Sequence, residues 1–240
     1  IDSWAATASG AFVLTESGLY TVEGWKTFIG RLTDEGVVTF SRWWVGAQPG
    51  EMLRVTNVAA RALIESGANN PKDHVFIAAR QGPPLPEVGS IGVATIIASK
   101  QPLTLERINL LKETCKTMGF DVIQTPIDDL RPDFSSILTP ANNAAFVAGY
   151  PLDLSASTDD RPFFFNMLSP FKAFEPKVKI QVMTHFNISA VRAVIYLFFA
   201  LVALAALLII APLAFKTGAE AVRDPAATAL GSLYFIAIGL

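Results

Sequence analysis

Val75-Phe76-Ile77-Ala78-Ala79 and Val93-Ala94-Thr95-Ile96-Ile97, joined through Gly82-Pro83-Pro84-Leu85-Pro86, form the stretch on which the fold turns. Each run is short, apolar and rich in β-branched residues, and turn formers bound it, which is the pattern of a buried strand. The Gly/Pro-rich link suits a wide hairpin, so the two strands are predicted to be antiparallel neighbours.

On the N-terminal side lies Val37 to Phe40, a third short strand. Helices are predicted around it. Val22, Trp25, Phe28, Ile29 and Leu32 recur at three and four, and Asp34-Glu35-Gly36 ends that helix. Met52, Val55, Val58, Ala59, Ala62 and Leu63 make one face of a second helix between Gly50 and Gly67, stopped by Asn69-Asn70-Pro71. On the C-terminal side, Thr104 caps a helix carrying Leu105, Ile108, Leu111, Cys115 and Met118, which Gly119 terminates; Phe120 to Thr125 is a further strand. The alternation predicts an α/β sheet between helices, with an antiparallel piece at its late edge.

From Pro126 to about Ile188 the prolines Pro132, Pro140, Pro151, Pro162, Pro170 and Pro176 are spaced too closely for long helices. This region is expected to be an irregular connector. Beyond it, Ala193 to Phe215 is a charge-free apolar run of about 23 residues bracketed by Arg192 and Lys216, with Tyr196 near one end and Pro212 in the last turn. At helical rise it exceeds the roughly 30 Å hydrocarbon core, so residues 191–216 are expected to span a membrane. Ala226 to Leu240 reads as the start of a second span, at which the chain is expected to break off. Lys172, Lys177, Lys179 and Arg192 precede the first span, and only Lys216 and Arg223 follow it, which orients the preceding domain toward the cytoplasm of a bacterial-type plasma membrane.

A net charge of -2 without a basic stripe argues against nucleic acid as a partner. The single cysteine, Cys115, excludes an intrachain disulfide and reads as a buried, inert thiol. His74 and His185 are too far apart to suggest a zinc site, and His74 reads as a strand-end residue. Asp128, Asp129, Asp133 and Asp153 read as solvated loop carboxylates, with no metal-site spacing.

In open α/β sheets, ligands gather at the carboxyl ends of strands. Asp2 follows an apolar residue, as the first loop residue after a strand would, and a carboxylate there either accepts a proton or simply caps a turn. Arg42-Trp43-Trp44 follows the Val37 to Phe40 strand. Its tryptophans either wall an adenine or acceptor pocket while Arg42 holds an anionic group, or they cover the sheet, and packing is the reading ranked first.

Ile1-Asp2-Ser3, then Glu16-Ser17-Gly18-Leu19-Tyr20-Thr21 and a helix, then Asp34-Glu35-Gly36 and a strand, together resemble the second half of the spermidine synthase family. That family is similar to class I methyltransferases. The resemblance implies the second half of a doubly wound, methyltransferase-like sheet with a late antiparallel hairpin, followed by transmembrane α-helices, in a chain lacking the first half of its domain. It implies Asp2 as the proton acceptor, and Ser3, Trp4, Glu16, Tyr20 and Arg42 as cofactor- or substrate-binding residues. The cofactor implied is S-adenosylmethionine or decarboxylated S-adenosylmethionine. Ala5 and Ala6 stand where the family has its second Asp and a Pro, so the small-molecule acceptor is left open.

Asp159-Asp160-Arg161-Pro162-Phe163-Phe164-Phe165 resembles the Asp-Asp-Arg-Pro-Phe-Phe motif of membrane-fused spermidine-synthase-like proteins. Asp159, Asp160, Arg161, Phe163 and Phe164 are expected to clasp the domain to its membrane block, with Arg161 forking onto Asp159 or Asp160 and the rings seated in an apolar groove or at headgroup level. A lid over the cofactor cleft is the alternative role. Two functions follow: a membrane-bound group transferase, or a non-catalytic nucleotide-fold module that senses a ligand or scaffolds a transporter-like assembly. A Gly-rich turn and an acidic strand end upstream of Ile1 would favour the first.

Overall fold

The β-branched and aromatic runs pair into one mixed α/β unit in the computed structural model, which describes residues 15–85, 89–168, 182–210, 230, 231, 233 and 234. In chain order the elements are α1 (Val22–Arg31), β1 (Val37–Trp44), α2 (Gly50–Glu65), β2 (Val75–Arg80), β3 (Pro84–Leu85), β4 (Gly89–Ser90), β5 (Gly92–Ser99), α3 (Leu105–Met118), β6 (Asp121–Gln124), α4 (Pro132–Leu138), α5 (Pro140–Gly149) and α6 (Val182–Ala205).

The sheet order is β1-β5-β2-β6, and every pair is antiparallel. β2 and β5 are neighbours, as the Gly/Pro-rich link implies, and β3 with β4 adds a short ladder inside that link. The hairpin does not lie at the late edge, however. β5 returns into the slot between β1 and β2, so those two strands run in the same direction with an antiparallel strand between them. Sequence periodicity cannot place β5, because its alternation of buried Ala94, Ile96 and Ala98 with more open Val93, Thr95 and Ile97 fixes which face is covered and not which strands flank it.

β1 continues four residues past Phe40. Arg42, Trp43 and Trp44 therefore belong to the strand instead of following it, paired with Ala94, Val93 and Gly92. Alternation sends Arg42 and Trp44 to the buried side and leaves Trp43 43% exposed beside Val93.

Helices cover both faces. Phe40, Ile96 and Ile77 lie in register on one side, where Trp25 of α1 stacks on Phe40 with centroids 4.8 Å apart. On the other side Ile108 and Cys115 of α3 pack with Phe76, Ala78 and Leu103. Burial pushes the Cys115 thiol above its ordinary pKa, which keeps it protonated and inert. The Thr21 hydroxyl accepts from Gly24 N–H to cap α1, Thr104 does the same for α3 through Arg107 N–H, and Gly119 at φ +70° ends α3 in the left-handed conformation. His74 is buried between strands, its Nδ1 3.1 Å from the Ser99 carbonyl.

In the described part of the region from Pro126, up to Leu168, two short helices, α4 and α5, precede a stretch from Tyr150 onward without helix or strand. Pro132 and Pro140 sit in the first turns of α4 and α5, where the missing N–H costs nothing, so these prolines start helices. Phe134, Ile137, Leu138, Leu152, Leu154, Phe164, Met167 and Leu168 are buried, which makes this segment part of the core.

The loop aspartates are paired as well as solvated. Asp128 meets Lys112 at 2.6 Å, Asp129 meets Lys72 at 2.5 Å, Asp133 meets Arg131 at 2.6 Å, and Asp153 lies 4.0 Å from Arg54. Hydrogen bonds from Lys112 and then from the Thr125 hydroxyl hold the Asp128 carboxyl below the usual carboxylate range. A lowered native pKa contributes stability that is complete above the unfolded value, about 4, and is lost as pH falls through the native one. Lys112→Met is accordingly expected to flatten the fall of melting temperature below about pH 4 and to leave its slope near neutrality unchanged, as a pH series of thermal melts will measure.

Ala193–Leu240 is a separate unit from Ile1–Arg192. α6 begins at Val182, well before the apolar run, and at Ala206–Ile210 its hydrogen bonding passes into a π-helical turn. Among the described residues no helix is long and apolar enough to cross a membrane. The charge-free α-helical part, from Ala193 to Ala205, spans only about 20 Å at 1.5 Å per residue. Residues 211–216, and all but four residues of the expected second span, lie outside the described residues.

Candidate functional site at the carboxyl end of β1

Three segments converge where β1 ends and α2 begins. Gly18–Tyr20 forms a 3-10 turn just before α1 and carries Tyr20 to this point. β1 supplies Arg42 on its buried side, and the first turn of α2 supplies Glu51.

Arg42 Nε and Nη2 both donate to Glu51 Oε2, at 2.8 and 2.6 Å, and Nη1 donates to the Tyr20 hydroxyl at 3.1 Å. The side chains of the pair are only 5% and 6% exposed. Phe165 lies over the guanidinium at 4.9 Å from ring centroid to Cζ, and Tyr20 lies at 5.4 Å. Phe164 stacks on Tyr20 at 4.4 Å and is itself fully buried. The group is a desolvated ion pair walled by aromatic rings. Chemically it offers a held cation, a phenol hydroxyl and an aromatic surface, the inventory for seating an anionic or planar group.

The segment that brings Phe164 and Phe165 here is clamped by α2. Arg54, 4% exposed, donates from Nε to the Ser155 carbonyl at 3.0 Å and from Nη1 to the carbonyls of Phe164 and Asn166 at 2.7 and 2.8 Å. Its nearest carboxylate is the distant Asp153, and burial lowers the Arg54 pKa against the partial support of that charge. Asn57, one turn later, donates to the Leu154 carbonyl at 2.7 Å.

The residues expected from sequence fall into three groups. Tyr20, Arg42 and Phe164 meet, and Phe163 lies half-buried beside them. Glu16 is exposed on the approach to the turn. Asp2, Ser3 and Trp4 lie outside the described residues. Asp159 and Asp160 form the turn bridged by Thr158 and Arg161, and all three charged side chains are exposed, so the expected fork of Arg161 onto either aspartate is replaced by a backbone turn. The motif docks through its aromatic residues and carbonyls onto α2 and the Tyr20 turn, within the α/β unit. Of the two placements expected for the rings, an apolar groove or headgroup level, Phe164 takes a buried one inside the α/β unit, with Arg54 holding its carbonyl.

Glu51 and Arg54 carry much of this arrangement without having been singled out from sequence, whereas Phe165 belongs to the quoted motif. Glu51 and Arg54 lie in the predicted α2, and charged residues interrupting its apolar pattern were the available signal. A second concavity, of about 320 Å³, lies among α2, α4, α5 and Ser155-Ala156, and none of the sequence-predicted residues lines it. Among the described residues no group of His, Cys, Asp or Glu is arranged to hold a metal ion.

No protein-family model, curated protein or solved structure matches the chain.

Proposed function

We propose that the chain belongs to a membrane-bound group transferase of the spermidine synthase type, using S-adenosylmethionine or decarboxylated S-adenosylmethionine. One observation carries this reading: the two segments that resemble the family, Glu16 to Thr21 and Asp159 to Phe165, meet. Tyr20 of the first stacks on Phe164 of the second, and Ser17 N–H donates to the Pro162 carbonyl at 2.8 Å. They do so at a strand's carboxyl end, where α/β sheets hold ligands. In this reading the acceptor's nucleophile would bond to the carbon carried by the sulfonium as its C–S bond breaks and the thioether leaves, Asp2 would receive the acceptor's proton, and orientation of the two substrates would supply most of the acceleration.

The membrane part of the proposal rests on α6. Its side chains Leu197, Phe198, Phe199 and Leu201, with Leu207 and Leu208 of the π-helical turn that follows, are all more than half exposed, an apolar surface that lipid would cover. The flanking cations orient the α/β unit to the cytoplasm.

A non-catalytic, ligand-sensing or scaffolding module is the second reading, and Arg42 favours it, because its guanidinium is engaged by Glu51 and Tyr20 within the chain. Calorimetric titration of the full-length protein with each cofactor separates the two. The transferase reading expects saturable heat with one of them, and Asp2→Asn then keeps the heat while transfer falls by about 100-fold or more. Absence of heat with both cofactors overturns it.

A further inference from the structure

Residues 153–167 touch the rest of the α/β unit in a lopsided way. Their backbone is held by few groups, and one of these, Arg54, holds several carbonyls at once: Ser155, Phe164 and Asn166, with Phe163 at 3.4 Å. The same residues are tied to the segment before α1. Ser17 N–H donates to the Pro162 carbonyl at 2.8 Å, Val22 N–H to the Ser157 carbonyl at 2.9 Å, and Asp159 N–H to Glu23 Oε2 at 3.0 Å. Phe164 stacks on Tyr20 and Phe165 covers Arg42.

These ties run to turns, a cap and side chains, and none of them is a rung of the sheet. Leu154, Phe164 and Met167 anchor the segment in the core, and because among the described residues no bond ties its backbone to the sheet, it can open as a unit while the β2–β5 ladder stays closed. Two features raise the free energy of the seated state. Arg54 is a buried cation whose nearest carboxylate is half-exposed and 4.0 Å away, so carbonyl dipoles must replace its hydration. The Ser157 hydroxyl is buried without a hydrogen-bond partner among the described residues.

We propose that residues 153–167 are a latch that opens together with residues 17–23 as one unit, uncovering Arg42, and that Arg54 is the positioning residue that keeps it shut. The coupling is geometric. Lifting Phe164 takes away the ring on which Tyr20 stacks, and lifting Phe165 removes a wall of the guanidinium site, so the strand end cannot be sealed while the latch is open. In the terms of the function proposed above, the latch controls access to that site; its movement is read without any cofactor.

The test follows amide hydrogen exchange and phenylglyoxal labelling of Arg42 in the full chain, in the wild type and in Arg54→Met and Arg54→Lys. Arg54→Met is expected to speed exchange at Ser17, Val22, Asp159 and Arg161 by about 10- to 100-fold, with β2 and β5 amides still protected, and to expose Arg42 to labelling. Arg54→Lys, which cannot fork across three carbonyls, is expected to lie between the two. Unchanged labelling of Arg42 alongside faster exchange would reduce Arg54 to a local anchor and overturn the latch. Should Arg54→Met fail to fold, the wild type in sub-denaturing guanidinium decides: the same amides must open together before the β2–β5 ladder, and exchange only with that ladder refutes the proposal. Because no cofactor enters, failure here leaves the transferase reading standing, and failure of the calorimetry leaves the latch standing.

Discussion

Glu51→Gln is expected to cost about 3–5 kcal/mol of stability, the largest loss from any single charge removal in the α/β unit. The substitution keeps the shape of the side chain and removes the negative charge that lies 2.6 Å from the Arg42 guanidinium, in a place where both side chains are about 5% exposed. Arg42 stays charged at any accessible pH, so the penalty cannot be relieved by deprotonation. Replacing both partners by apolar residues, Arg42→Met with Glu51→Leu, is expected to recover most of the loss, since the desolvation cost disappears along with the attraction. Denaturant unfolding followed by the fluorescence of buried Trp25 and Trp44 measures both variants. A change in Glu51→Gln of less than 1 kcal/mol would mean that the pair is solvated like a surface bridge.

The second large effect is expected at Phe164→Ala, again about 3–5 kcal/mol, from lost burial and the cavity left behind. Phe164 is fully buried, stacks on Tyr20 and meets Phe165 edge-on at 5.2 Å. The ring also lies 5.8 Å from the Arg54 guanidinium. Its removal therefore opens a void beside the buried Arg54. A double-mutant cycle with Tyr20→Ala is expected to return a coupling of about 0.5–1.5 kcal/mol for the stack. Additivity of the two losses would show that the rings pack against the protein and not against each other.

Local chemistry made α1, α2 and α3 readable before any tertiary contact was known. Thr21 and Thr104 cap, Gly119 terminates, and the apolar residues fall at helical spacing. The pairing of β2 with β5 was legible too, because a short Gly/Pro-rich link leaves few other partners. β6 sits where Phe120 to Thr125 placed it. These features depend on neighbours a few residues apart.

Other features depend on partners that sequence spacing does not reveal. β1 extends through Trp44 because Arg42 finds Glu51, and an arginine read alone looks like the end of a buried strand. α4 and α5 were hidden by their prolines, since Pro132 and Pro140 signal a break or a beginning with equal force until the preceding residues are seen to be extended. The candidate site was half legible. Tyr20, Arg42 and Phe164 were singled out separately, and their meeting rests on Arg54, whose carbonyl partners lie from 101 to 112 residues away.

By itself the sequence determined the helical stripes, the caps and the strand hairpin, all set by steric and hydrogen-bonding rules that act within a few residues. It also set the charge-free character of Ala193 to Phe215. Only the tertiary structure decided that β5 enters between β1 and β2, that Phe164 belongs to the core, and that a buried guanidinium holds the second motif over Arg42. The physical reason is desolvation: a buried charge is tolerated only where the fold supplies its partners, and those of Arg54 lie 101 to 112 residues along the chain.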